Sequence, residues 1–111
     1  MADIMNLLSI CRKAGKLTLG MDEVKGTVRS GKAYIVLVAS DTAERSLNEI
    51  TRVCEENETP LYRINESMYD VGDALGKVYG IMSITDAGFA KAAVKRLQAD
   101  GLESSPGCIP K

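Results

Sequence analysis

The sequence feature that constrains the fold most is an uninterrupted apolar run, "YIVLVA", at residues 34–39. Turn-forming residues border the run on both sides, and β-branched side chains fill much of it. A strand that faces solvent on one side alternates apolar and polar residues, whereas a strand buried on both faces is apolar throughout. We therefore predict a central strand with other elements packed on both faces of its sheet.

The segments around this strand alternate between helical and extended patterns. Three further short runs predict strands: "KLTL" (16–19), "LYRI" (61–64) and "GIMSIT" (80–85). Apolar residues spaced by three and four positions predict five helices. Their inner faces comprise Ile4, Leu7, Leu8 and Cys11; Met21, Val24 and Val28; Ala43, Leu47, Ile50 and Cys54; Met68, Val71 and Leu75; and Phe89, Ala93 and Leu97. The order αβαβαβαβα with short connections predicts an α/β protein, with helices on both faces of a parallel or mixed sheet.

Polar residues between these segments predict where the helices begin and end. We expect "SDTAE" (40–44) to cap the third helix, Asn65 to cap the fourth, and Thr85 or Asp86 to cap the fifth. The glycine-rich stretch "GDALGKVYG" (72–80) predicts a helix that ends in a turn permitted by glycine.

Length and composition predict one domain with an aliphatic core. The chain has 111 residues, of which 45% are hydrophobic but only 5% aromatic. We assign the domain to residues 1–100 and expect the Gly-, Ser- and Pro-rich segment 101–111 to be a flexible tail. No charged-then-apolar leader and no apolar run of about 18 residues is present, so we expect a cytoplasmic protein that does not span a membrane.

The sequence contains no histidine, which excludes several kinds of catalytic and metal site. Ser-His-Asp and Cys-His catalysis and the usual zinc sites all need an imidazole. The three cysteines, Cys11, Cys54 and Cys108, form no C-x-x-C pair, and we interpret them as free thiols in a reducing compartment. No nucleophile has a base beside it, so we predict a non-catalytic protein without metal or cofactor.

The segment "GTVRSGKA" (26–33) differs by one residue from the phosphate-loop pattern G-x-x-x-x-G-K-[ST]. A phosphate loop follows a strand and opens a helix, so that backbone N–H groups face the phosphates. Here the segment begins inside a predicted helix at Gly26 and runs into a strand. Its last residue, Ala33, also lacks the hydroxyl that would hold magnesium. The sequence therefore does not indicate a nucleotide hydrolase.

The formal net charge of −1 hides an uneven distribution of charged side chains. Residues 10–32 contain six basic and two acidic side chains, a local balance of +4. Residues 41–58 contain six acidic and two basic side chains, a local balance of −4. The first of these segments is the one that suits a polyanionic partner.

The second helix opens with a glycine and two acids, Gly20, Asp22 and Glu23. Acids in a first turn offset the helix dipole, and they can also accept hydrogen bonds from the amino groups of bases. The nearby cations are Arg12, Lys13 and Lys16 after the first helix, and Lys25 and Arg29, which we place on the outward face of the second. Acceptors surrounded by cations suit folded RNA. A surface that binds protein would have a similar sequence.

Four segments resemble the kink-turn-binding ribosomal protein superfamily, and within it the small bacterial YlxQ-like branch. They are "LLSICRKAGKLTLGMDEVKGTVRSGKAYIVLVASD" (7–41), "TPLYRI" (59–64), "VGDALGK" (71–77) and "SITDAGFAKA" (83–92). The resemblance covers about residues 4–97. It implies a three-layer α-β-α sandwich with a central four-stranded mixed sheet and about five helices, and a non-catalytic, RNA-binding protein that acts beside ribosomal components.

The resemblance also implies a binding segment, Gly-x-Asn-Glu-x-x-Lys, that contacts the sheared G·A pairs of a kink-turn. Gly20 and Glu23 match its glycine and glutamate, whereas Asp22 stands where Asn is usual and Gly26 where Lys is usual. A carboxylate only accepts hydrogen bonds and repels phosphate. An apolar loop before the last strand completes the family's site, and here it contains Lys77, Val78 and Tyr79.

These observations predict an RNA-binding site at the start of the second helix. Glu23 and Asp22 would accept hydrogen bonds from bases, and Tyr79 would stack on a base or pack as a rim residue. The predicted phosphate contacts are Arg12, Lys13, Lys16, Lys25 and Lys32. The expected partners are structured ribosomal or regulatory RNA and ribosomal proteins, bound by a monomer. The alternative is a protein-interaction adaptor on the same fold with little RNA binding.

Overall fold

The computed structural model describes residues 3–76 and 78–99, and these residues form the predicted sequence of helices and strands. The elements are α1 (Asp3–Lys13), β1 (Leu17–Leu19), α2 (Met21–Arg29), β2 (Ile35–Val38), α3 (Glu44–Glu56), β3 (Leu61–Arg63), α4 (Met68–Leu75), β4 (Ile81–Ile84) and α5 (Ala87–Ala99). The predicted order αβαβαβαβα is confirmed. The predicted tail at 101–111, with Cys108, lies outside the described residues.

The four strands form one mixed sheet in the order β1-β4-β2-β3. β4 pairs antiparallel with both β1 and β2, and β2 pairs parallel with β3. Every residue of β2 is buried, as its uninterrupted apolar sequence predicts. β2 and β4 fill the centre of the sheet, so a helix must cover each of their faces.

Helices cover both faces of the sheet and complete a three-layer α-β-α sandwich. Successive strand side chains point to opposite faces, and in β2 Ile35 and Leu37 join one core while Val36 and Val38 join the other. α1, α4 and α5 supply the first core, and α2 and α3 supply the second. The predicted fold class is confirmed.

The helix caps differ from the prediction in two places. α4 begins at Met68, and its cap is Ser67, whose Oγ accepts from Asp70 N at 3.2 Å while Ser67 N donates to Asp70 Oδ2 at 3.0 Å. The prediction that Asn65 caps this helix is therefore wrong. Ser67 and Asp70 have the spacing of a capping box, which satisfies two helix-terminal donors at once, whereas an Asn cap satisfies one.

No polar side chain of the segment "SDTAE" caps α3, because the N-cap residue is Ala43 and the helix start has no side-chain hydrogen bond. Asp41 Oδ1 instead accepts from Met68 N at 2.8 Å, at the start of α4, and Thr42 Oγ1 donates to Gly80 O at 3.0 Å. These polar side chains connect the loop after β2 to its spatial neighbours, which the sequence order does not reveal. At α5, Asp86 is the cap, since its Oδ2 accepts from Phe89 N at 2.9 Å.

The glycine-permitted turn after α4 is confirmed, because Gly76 ends the helix with a φ of 84°. No helix within the described residues is long and apolar enough to cross a membrane.

Candidate nucleic-acid interface

The start of α2 is fixed to the sheet by the backbone of Gly20. Its N–H donates to Ile81 O at 3.0 Å, and its carbonyl accepts from Val24 N at 2.9 Å. Gly20 has φ 96° and ψ 148°, a conformation that residues with a β-carbon rarely adopt. A glycine is therefore required where the chain leaves β1 and enters α2.

The first turn of α2 presents two carboxylates at the surface. Asp22 and Glu23 are both exposed, whereas Val24, which follows them, is fully buried and orients the helix on the sheet. This arrangement leaves the carboxylates accessible at the end of the helix where the dipole favours negative charge.

The loop before β4 packs beside this helix start. The ring of half-buried Tyr79 lies so close to Gly20 that a β-carbon there would stand 3.5 Å from Tyr79 Cε1. Val78 is 56% exposed. A β-carbon added at Gly72 would lie only 2.7 Å from Val78 Cγ2. Gly72 thus allows the loop to approach α4 closely, whereas a β-carbon at Gly20 would make an ordinary contact with Tyr79.

An open cleft of about 220 Å³ lies between this loop and the start of α3. Its walls are largely apolar, with the hydroxyl groups of Thr42 and Ser46 among them. The lining residues are Gly20, Met21, Thr42, Ala43, Ser46, Met68, Tyr79, Gly80 and Ile81. The cleft therefore combines an aromatic ring with nearby hydroxyls, next to the carboxylates of α2.

Arg12 is the predicted cation that reaches this loop. A β-carbon added at Gly76 would lie 3.6 Å from Arg12 Nη1, so the guanidinium lies beside the turn that ends α4. Lys77 lies outside the described residues. The predicted site residues that the fold brings to this end of the sheet are Gly20, Asp22, Glu23, Val78 and Tyr79, while Arg12 lies beside Gly76.

Lys25 does not face outward as predicted. It forms an ion pair with Glu49 of α3, and its side chain is 16% exposed. It is one of the residues that line a groove of about 770 Å³ between α2 and α3. The physical reason is its position directly after Val24: the inner face of α2 is shared by the sheet and α3, and Lys25 lies on the α3 side of that face.

Two other predicted phosphate contacts, Lys16 and Lys32, lie at the opposite end of the sheet from Gly20. Lys16 precedes β1, and its carbonyl accepts from Thr85 N at 2.9 Å. Lys16 is four residues before Gly20, which corresponds to about 13 Å along an extended strand. Lys32 follows the end of α2, which is nine residues or about 13 Å long. Lys13, in the last turn of α1, is exposed three residues before Lys16. The prediction that these lysines surround the start of α2 is therefore wrong, since β1 and α2 each separate them from it.

A family model supports an assignment that the fold and this geometry already suggest. The model described as "Ribosomal protein L7Ae/L30e/S12e/Gadd45 family" matches residues 2–94. The chain belongs to this family.

Two curated relatives from this family illustrate the similarity. The chain is 33% identical over 88 residues to large ribosomal subunit protein eL30 of Candida albicans, covering 78% of this chain and 83% of that protein. It is 32% identical over 87 residues to RNA-binding protein YlxQ of Enterococcus faecium, covering 78% of this chain and 84% of that protein.

Solved structures show the same fold. A Bacillus halodurans protein of unknown function superimposes with a TM-score of 0.82 at 22% identity, covering 88% of this chain and 99% of that one. The Giardia lamblia 15.5kD RNA binding protein superimposes with a TM-score of 0.71 at 22% identity, covering 86% and 84%. At this identity the likeness establishes the fold.

Sequence reasoning missed the part of the cleft that comes from the loop after β2 and the start of α4. Thr42, Ser46 and Met68 belong to it. A signal was available, because ligands bind in open α/β sheets beyond the carboxyl ends of the parallel strands. β2 and β3 are the parallel pair, and the chain leaves β2 directly into this loop.

The buried thiol of Cys11 contributes no nucleophile. Burial, and next the nearby Asp86 carboxylate, raise the pKa of Cys11 to about 11. The thiol is therefore protonated at neutral pH. Within the described residues, no cluster of three or more acidic or cysteine side chains is placed to hold a metal ion.

Proposed function

We propose that this protein is a non-catalytic RNA-binding protein that recognises structured RNA with the start of α2 and the loop before β4. The observation that carries the proposal is the pair of exposed carboxylates, Asp22 and Glu23, beside Tyr79 and an open cleft. The names of the relatives, a large ribosomal subunit protein and an RNA-binding protein, support RNA as the partner. We extend the proposal to a kink-turn as the RNA element, a cytoplasmic ribosomal complex as the setting, and a monomer.

The chemistry of the carboxylates suits base recognition. A carboxylate offers two acceptor oxygens, and the edges of non-canonically paired or unpaired bases present N–H donors to them. Glu23 is the stronger candidate because it also matches the family's binding segment. Arg12 beside Gly76 would hold a phosphate and fix the register of the RNA.

The cleft gives an unstacked base a place next to these contacts. Tyr79 offers part of a ring for stacking, and the Thr42 and Ser46 hydroxyls offer hydrogen bonds to the base edge. Thr42 already donates to Gly80 O, so its oxygen serves as an acceptor. Recognition of this kind requires a base that is unstacked from the RNA duplex, such as a base at a bend or in an internal loop.

A direct test is to titrate a fluorescent kink-turn hairpin and follow its anisotropy, with a straight duplex of equal length as the second probe. Glu23→Gln keeps the side-chain size but replaces one acceptor oxygen with a donor. We expect it to weaken hairpin binding about 5- to 150-fold, as for the loss of about 1–3 kcal/mol per base contact.

The matched control is Glu55→Gln, which makes the same change on the exposed surface of α3 and should leave the affinity unchanged. Equal binding by wild type and Glu23→Gln would refute the assigned site. If hairpin and straight duplex bind equally well, kink-turn recognition is refuted while RNA binding stands.

A second candidate function is supported by the charged groove between α2 and α3, where Lys25 and Glu49 pair. A protein-interaction adaptor would use this groove rather than the start of α2. Affinity capture from lysate with and without ribonuclease separates the two functions. Partners that survive ribonuclease and are lost with Arg52→Glu, which lies in the groove, favour the adaptor.

A further inference from the structure

We propose that the end of the sheet opposite Gly20 is a second RNA-contact surface, which binds a single-stranded segment. We call it the far-end surface and define it by Lys13, Lys16, Lys32 and Tyr34. The inference rests on the proposed function in taking RNA as the partner. It concerns different residues, a different part of the RNA and an independent binding event.

Backbone hydrogen bonds hold the far-end residues around the end of β4. Thr85 donates to Lys16 O from its N–H at 2.9 Å and from its hydroxyl at 3.2 Å. On the other side, Tyr34 N donates to Ile84 O at 2.8 Å. Lys16 and Tyr34 thus flank β4, and two strand spacings place their backbones about 10 Å apart.

Tyr34 presents an aromatic ring to solvent at this position. Its side chain is 51% exposed, although the next five residues, 35–39, are all buried. It belongs to neither of the two cores. An exposed ring on a backbone that the sheet holds in place is a stacking platform, because any base can stack on it and little conformational freedom is lost.

The cations at this end of the sheet are available for phosphate. Lys13, Lys16 and Lys32 are all exposed, and the ion pair found among the described residues joins Lys25 to Glu49 instead. Asp86, which follows Thr85, accepts from Phe89 N at the start of α5. Further acids, such as Glu58, lie beyond β2 in the turn before β3 and limit the basic surface to one side of the sheet.

An exposed ring at the same end of the sheet as three exposed lysines suits a single strand better than a duplex. A base stacks on Tyr34 while the phosphates on either side contact Lys16 and Lys32, and no sequence readout is needed. The Gly20 end has the opposite character, with carboxylates that accept from base edges. The protein would therefore hold a folded RNA element at one end and an unpaired strand at the other.

The test uses two fluorescent probes, a 12-mer of oligouridine and the kink-turn hairpin, in anisotropy titrations over a range of salt concentrations. We expect Lys16→Gln/Lys32→Gln to weaken oligouridine binding at least tenfold. The log–log salt slope should become shallower by about 1.4, from two lost contacts to single-stranded phosphate. Tyr34→Ala should weaken oligouridine binding about 5- to 150-fold, whereas Tyr34→Phe should keep it.

The controls separate this proposal from the proposed function. Lys91→Gln/Lys95→Gln makes the same charge change on exposed α5 and should leave both affinities unchanged. Hairpin binding should persist in the far-end variants, which also shows that they fold. Loss of oligouridine binding in Glu23→Gln but not in the far-end variants overturns the second surface, as does equal loss in the α5 control. If the protein binds oligouridine through the far-end surface but does not bind the hairpin, the proposed function is overturned and the second surface stands.

Discussion

The two ends of α2 differ in charge and in what surrounds them. At its N-terminus, Asp22 and Glu23 lie beside Tyr79 and an apolar cleft. Beyond its C-terminus, Lys32 lies beside an exposed Tyr34. Each end thus pairs an aromatic ring with charges of one sign, acidic at the first and basic at the second.

The charges alone do not distinguish a binding site from an ordinary helix. Acids at a helix start and bases at its end offset the dipole by about 0.3–1 kcal/mol each, whatever the protein binds. The difference lies in the neighbouring loops. At the N-terminus, the loop before β4 closes over Gly20 and leaves a cleft, whereas at the C-terminus the chain enters β2 and leaves a ring uncovered. The surroundings of each end therefore decide which part of an RNA it suits.

The largest effect should come from the glycine that sets the geometry of the N-terminal end. Gly20→Ala places a β-carbon at φ 96° and beside Tyr79, so the free energy of unfolding should fall by about 1–3 kcal/mol. A change in the backbone at Gly20 would shift the first turn of α2, which should weaken hairpin binding as well. Urea denaturation measures the first change and anisotropy the second.

Gly26→Ala is the matched control, because Gly26 lies in the same helix and a β-carbon there meets nothing within 4 Å. It should raise the free energy of unfolding by about 0.5–1 kcal/mol. Equal destabilisation by the two alanines would show that the backbone at Gly20 is not special.

A smaller effect should come from restoring the family's binding segment at the N-terminal end. Asp22→Asn/Gly26→Lys replaces a phosphate-repelling carboxylate with an amide and adds a cation in open space on α2. We expect hairpin binding to tighten about tenfold, as for one added hydrogen bond of about 1.4 kcal/mol. The salt slope should steepen by about 0.9 from one added contact to duplex phosphate.

Asp22→Asn/Gly26→Ala separates the new cation from the gain in helix propensity. If it tightens binding as much as the lysine variant does, the lysine makes no phosphate contact. Oligouridine binding should stay the same in both variants, since the far-end surface is unchanged.

The smallest effect should come from the middle of α2, between the two ends. Lys25→Ala and Glu49→Ala each remove one half of a partly exposed ion pair. Each should lower the free energy of unfolding by about 0.2–1 kcal/mol in urea denaturation, the range for such pairs. Hairpin and oligouridine affinities should both stay within about twofold of wild type, because Lys25 faces α3. A larger loss of hairpin binding in Lys25→Ala would show that Lys25 contacts the RNA.

Most of the local structure followed from the sequence, because local patterns carry it. The buried strand at 35–38, the helical stripes and the glycine turn at Gly76 depend on residues close together in the chain. The predicted helix caps were wrong where another residue accepts the hydrogen bond at the helix start, or where the predicted capping side chain binds a different element. Ser67 with Asp70 satisfies more donors than Asn65, and Asp41 accepts from Met68 N at the start of α4, across a gap of 27 residues, and does not cap α3.

The amino-acid pattern was sufficient to predict the fold class, the glycine that opens α2 and the two exposed acids of its first turn. Which charged residues share a surface depends on how the strands pair and the helices pack. The antiparallel pairing of β1 with β4 places Lys16 beside Thr85 and Gly20 beside Ile81, so neighbours in sequence lie at opposite ends of the sheet. Packing of α3 on α2 turned Lys25 away from the site. Proximity along the chain predicts contacts within an element, but strand pairing and layer packing determine which elements meet.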